Sequence, residues 1–136
     1  SPAAPREIPP TSFHVLEPNQ TAHVQGIEIF PFRVPHQENV SLGLSITHAG
    51  KRIVYSGDSS WTEVFIRHAR GADLFLCECC FYHEDSTTHM SYHKIEQNLS
   101  RLQCKRLVLT HMGEAMLARR PELPVETAAD GMIIEL

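Results

Sequence analysis

From Arg52 onward, short apolar runs alternate with amphipathic stretches, and that order limits the fold more than any other feature of the chain. "RIVYS" reads as a strand. A helical pattern follows, with Trp61, Val64, Phe65, His68 and Ala69 on one face. Ser60 with Glu63 three residues later predicts a capping box at its start, and Gly71 marks its end. The nearly unbroken apolar run "ADLFLCECCF" has the character of a buried central strand. "SYHKIEQNLSRL" then carries Tyr92, Ile95, Leu99 and Leu102 in helical register, before a further strand in "CKRLVLTH". Strand, helix, strand, helix, strand implies right-handed crossovers and a largely parallel layer.

The residues before this unit have a different period. Leu42, Leu44 and Ile46 alternate with Ser41, Gly43, Ser45 and Thr47, as in a half-buried strand. Ala49-Gly50-Lys51 predicts a hairpin turn into "RIVYS". Ile27, Ile29, Phe32 and Val34 suggest an earlier strand interrupted at Pro31. Near the end, "EAMLARR" predicts a short helix, and "DGMIIEL" a last strand after an Asp130-Gly131 turn. The expected fold is α/β, a mixed sheet faced by helices, formed by residues 24–136 behind a Pro-rich extended lead-in over 1–23.

At 136 residues the chain has the length of one domain with a real core. Its formal charge of -4 gives no basic footprint for strong binding to a nucleic-acid backbone. No apolar run approaches the ~20 residues of a membrane crossing, so no membrane partner is expected. Three of the four cysteines, Cys77, Cys79 and Cys80, crowd one strand-like segment. That favours free thiols and a reducing compartment, with the cytoplasm as the expected location. A zinc knuckle needs spaced cysteine pairs, which "CECC" does not supply.

Nine histidines are many for this length, and their positions are informative. His36 follows "FRVP", Asp58 follows "IVYSG", and His111 follows "LVLT". Each is a potential metal ligand just past the C-terminal end of a candidate strand, where ligands of open α/β sheets converge. Two imidazoles and a carboxylate suit Zn²⁺, Mn²⁺ or Fe, and the carboxylate can bridge two ions. His89 lies in the loop before a helix, placed to exchange a proton, and Glu78 in the neighbouring strand can orient it. Singly, each has a bland reading: a loop histidine is usually just solvated, and Asp before a helix favours the dipole. The recurrence at several strand ends carries the argument.

The ordered series "VPHQENVSLGLSI", "YSGDSS", "GADLFLCE", "THMS" and "LVLTHMG" resembles the C-terminal half of metallo-β-lactamase-fold hydrolases, in particular ribonuclease Z and related phosphodiesterases. The resemblance implies half of a four-layer αβ/βα sandwich and a metal-dependent hydrolase acting on phosphodiesters through a metal-activated water. It implies two divalent metal ions, zinc first with manganese or iron as alternatives. His36 and His111 would each hold one metal, Asp58 would bridge both, His89 would give the proton, and Glu78 would polarise His89. A phosphodiester or another small hydrolysable substrate is implied, with RNA among the candidates.

The chain departs from that family in one respect. The motif H-x-H-x-D-H is absent, since no two histidines are separated by a single residue. Two expectations follow. The chain is a piece of a longer hydrolase, inactive without the missing half. Alternatively, it is a non-catalytic half-domain whose exposed sheet face pairs with a second copy or another partner. A structural metal at His36, Asp58 and His111 is a third reading.

Overall fold

A computed structural model describes residues 9–37 and 40–136. Seven strands form a single mixed sheet whose spatial order is the chain order: β1 (Ala22–Val24), β2 (Ile27–Val34), β3 (Ser41–His48), β4 (Lys51–Tyr55), β5 (Leu74–Glu78), β6 (Leu107–Thr110) and β7 (Glu126–Thr127). The first four pair antiparallel, and β4, β5, β6 and β7 pair parallel. Helices α1 (Val64–Ala69) and α2 (Tyr92–Asn98) occupy the crossovers, and α3 (Glu114–Arg119) follows β6. The mixed α/β sheet faced by helices is therefore as the sequence predicts.

Register explains which residues face the helices. Phe30, Ser45, Val54, Phe75 and Leu107 line up across successive strands, and Cys77 lines up with Leu109. This row meets Phe65 and Ala69 of α1, Tyr92 and Ile95 of α2, and Met116 of α3 in one buried cluster. Fully burying a side chain such as Phe75 is worth about 1.5–3 kcal/mol. The opposite parity places Ile29, Ile46, Ile53 and Leu74 in a second row, with Leu44, Tyr55 and Leu76 in a third. Most of these residues are only half-buried.

Several local expectations need correction. Pro31 does not interrupt β2. Its carbonyl accepts from Asn19 N–H at 2.8 Å on the side away from β3, so its missing N–H is not taken from the β2–β3 ladder. Residues 22–23, read as lead-in, lie in β1, and residues 1–8 of that lead-in fall outside the described residues. The capping box does not form. Helix α1 begins at Val64 without a side-chain cap, because the Glu63 carboxylate pairs with Arg101 instead. The last strand is also misplaced: "DGMIIEL" forms none, Ile133 is 85% exposed, and the sheet edge is taken by β7. Helix α2 is capped by Ser91, whose hydroxyl accepts from Lys94 N–H at 3.4 Å.

Candidate metal centre

Strands β2 and β4 are both antiparallel to β3, so β2 runs in the same direction as β4, β5 and β6. Their C-terminal ends therefore share one edge of the sheet. His36 follows β2 by two residues, Asp58 follows β4 by three, Glu78 ends β5, and His111 follows β6 directly. Topology alone brings these four positions to a common rim.

Local geometry then aims the side chains. Past β4, Gly57 adopts φ +62°, and a Cβ there would lie 2.3 Å from the Leu42 carbonyl oxygen. Only glycine fits this turn, which delivers Asp58 to the rim. His111 also takes a left-handed backbone, at φ +53°, an uncommon conformation for a residue with a side chain.

Glu78 is the buried hub. It is fully shielded from solvent, and three N–H groups converge on its carboxylate. Ser59 N–H donates to Oε1 at 2.7 Å, Cys80 N–H donates to Oε2 at 3.2 Å, and His89 Nδ1 lies 2.8 Å from Oε1. The Glu78 N–H is held in turn by the Ser56 hydroxyl at 2.8 Å. A carboxylate acceptor fixes the His89 proton on Nδ1 and leaves Nε2 free. The expected pairing of Glu78 with His89 is thus present in the structure.

Asp58 and His111 face each other differently. The Asp58 carboxylate lies 3.8 Å from His111 Nε2, beyond hydrogen-bond range. No hydrogen bond from the described residues reaches that carboxylate. Two ligand bonds to one zinc sum to about 4 Å, so a single ion between the two groups would bridge the gap. His36 is prepared in another way: its Nδ1 hydrogen-bonds the Thr88 carbonyl, which leaves Nε2 bare as a potential ligand. These oxygen and nitrogen donors fit a divalent ion.

The five predicted residues gather unevenly. Asp58, Glu78 and His111 have potential ligand atoms within 4.8 Å of one another. His36 belongs to no such group among the described residues. It enters the neighbourhood through His89, with ring centroids 4.8 Å apart, and His89 stacks in turn on His111 at 5.4 Å. Cys80 was missed from the sequence, although it forms a second group with His89 and His111 within the same 4.8 Å. The signal was the two-residue period: Cys77 and Cys79 share the core face, so Glu78 and Cys80 share the other. Burial, followed by the Glu78, Glu84 and Asp58 carboxylates, pushes the Cys80 thiol up. It is therefore neutral near pH 7 and a poor free nucleophile.

Two clefts flank the imidazoles. One of about 410 Å³ opens beside His89 and is lined in part by Ser60, Trp61, Ser86 and Lys94. The other, about 450 Å³, lies beside His111, with Thr110, Arg120 and Asp130 in its wall.

Comparison with known proteins places the fold. A family profile described as "Beta-lactamase superfamily domain" matches residues 1–112. The chain belongs to this superfamily. A zinc phosphodiesterase ELAC protein 2 homolog from Caenorhabditis elegans is 30% identical over 95 residues, covering 66% of this chain and 11% of that protein. The metallo-β-lactamase fold protein YhfI from Bacillus subtilis superposes with a TM-score of 0.73 at 24% identity, covering 88% of this chain and 54% of YhfI. Human tRNase Z, short form, superposes with a TM-score of 0.63 at 22% identity, over 84% of this chain and 45% of the human one. The two structures share the metallo-β-lactamase fold with this superfamily member. The chain spans about a third or less of the length of curated relatives that it matches. No helix among the described residues is long and apolar enough to cross a membrane.

Proposed function

We propose that the chain carries the C-terminal half of the active site of a cytoplasmic, metal-dependent phosphodiesterase. His36, Asp58 and His111 would hold its metal, with Asp58 as the carboxylate available to two divalent ions, and zinc is the first choice. A divalent ion at such a centre supplies Lewis acidity and a bound water of lowered pKa. The observation that carries the reading is the buried Glu78 carboxylate 2.8 Å from His89 Nδ1, beside the open Asp58–His111 gap. One pair is built to orient a proton donor, and the other is left ready for a ligand.

In this reading Glu78 holds the His89 ring so that Nε2 meets the leaving oxygen and delivers a proton. The cleft beside His89 receives the leaving portion of the substrate. Trp61 offers it an apolar face, and Lys94 offers a cation to a phosphate oxygen. A short RNA is one substrate with the right chemistry. The name of the nematode relative, a zinc phosphodiesterase, supports the substrate class and the metal. The half-buried rows through Ile46, Ile53, Leu44 and Tyr55 support pairing with a further layer, because α1, α2 and α3 all pack on the other face.

The test is hydrolysis of bis(para-nitrophenyl) phosphate by the full reading frame containing this chain, loaded with zinc or manganese. Metal-dependent release of nitrophenolate, lost in His89→Ala with metal retained at the Asp58 centre, is the expected result. Equal turnover in His89→Ala would remove the proton-donor role.

A further inference from the structure

Two groups of potential ligands lie at the same rim and share His111. The first, Asp58, Glu78 and His111, offers carboxylate oxygens and one imidazole. The second, Cys80, His89 and His111, offers sulfur and two imidazoles. The sulfur separates them: a thiolate selects thiophilic ions, whereas carboxylates suit harder ones. We propose that Cys80, His89 and His111 form a second site, for a thiophilic divalent ion such as Co²⁺ or Cd²⁺, overlapping the Asp58 centre through the shared imidazole.

The sulfur is held in place by its backbone. Cys79 N–H donates to the Thr110 carbonyl at 2.8 Å, and Gly113 N–H donates to the Cys80 carbonyl at 3.0 Å. Cys80 N–H is fixed by the buried Glu78. A Cβ at residue 113 would lie 2.7 Å from the Cys80 oxygen, so the close approach of these loops depends on glycine there. The segments after β5 and β6 are thus joined at the residue that carries the thiol.

The distances suit such an ion. Metal–sulfur and metal–nitrogen bonds of about 2.3 and 2.0–2.1 Å set tetrahedral ligands roughly 3.5 Å apart. The three donors already lie within 4.8 Å of one another, so drawing them to that spacing asks for movements on the order of 1 Å. His89 already has the outer partner that metal-bound imidazoles usually have, a carboxylate at Nδ1. On binding, Cys80 gives up its thiol proton to solvent and forms the metal–sulfur bond, with no change of oxidation state.

The inference goes beyond the hydrolase reading, because Asp58 has no part in it. An ion at Cys80 takes His89 away from proton exchange and His111 away from Asp58, so it would silence the phosphodiesterase chemistry.

The experiment is anaerobic titration of this chain with Co²⁺, followed by the near-ultraviolet thiolate-to-cobalt charge-transfer band. The wild-type chain is expected to show the band, Asp58→Asn to keep it, and Cys80→Ser to lose it with an unchanged circular dichroism spectrum. His89→Ala is expected to shift the titration to higher cobalt concentration. No band in the wild type, or the same band in Cys80→Ser, overturns the proposal. Failure of the hydrolase reading would be seen separately, as Mn²⁺ binding that is unchanged in Asp58→Ala.

Discussion

Glu78 Oε1 lies 2.8 Å from His89 Nδ1, and the carboxylate that makes this contact has no exposure to solvent. The glutamate positions the imidazole without needing to touch a substrate. In Glu78→Gln, shape is kept but the acceptor-only character is lost. Nitrogen chemical shifts of the His89 ring should then lose the pattern of a proton fixed on Nδ1. Turnover of the full-length hydrolase should fall about 10–100-fold, with a changed pH profile. Unaltered ring shifts in the variant would show that Glu78 does not set the tautomer.

Gly57→Ala tests the turn that delivers Asp58. The left-handed conformation alone costs an alanine about 1–2 kcal/mol. The new Cβ would also lie 2.3 Å from the Leu42 carbonyl oxygen, so the loop must move. Urea unfolding should show a loss larger than that backbone cost, together with weaker metal binding at Asp58. A variant as stable as the parent would mean that the turn is less constrained than its geometry indicates.

His68 should make stability depend on pH. Its ring stacks on Phe32 with centroids 3.9 Å apart, and its Nε2 is buried without a partner. Burial first, then Arg67 and Arg52, pulls its pKa below the ordinary 6.5. The unfolded chain therefore binds this proton more readily than the folded one. Stability is fully present above about pH 6.5 and declines as pH falls from there toward the lower folded value. His68→Phe keeps the stacking and should flatten that decline in denaturant melts between pH 5 and 7. An equally steep decline in the variant would assign it to other groups.

The parts of the fold that could be read from sequence are those where side-chain period decides the answer. Leu42, Leu44 and Ile46 alternate in β3 as a half-buried strand must, and the apolar run of β5 marks a central strand. The ends of β4 and β6 were legible because Asp58 and His111 follow apolar runs abruptly. Competing partners explain the misses. Glu63 is drawn to Arg101, a residue distant in sequence, and so leaves the capping box unmade. Pro31 could be placed inside β2 only by knowing which side its N faces. "DGMIIEL" has the composition of a strand, but the edge beside β6 is taken by Glu126 and Thr127. In sequence Cys80 is one of three crowded thiols, and its nearness to His111 depends on contacts between two loops.

The proposed centre stands on a cation shared by Asp58 and His111, and Mn²⁺ tests this directly because it prefers oxygen and nitrogen to sulfur. The measurement is paramagnetic broadening of amide resonances as Mn²⁺ is added to the wild-type chain and to Asp58→Ala. The predicted result is broadening concentrated around residues 58 and 111 in the wild type and abolished in the variant. Broadening that persists unchanged in Asp58→Ala, or that centres elsewhere in the wild type, would contradict it.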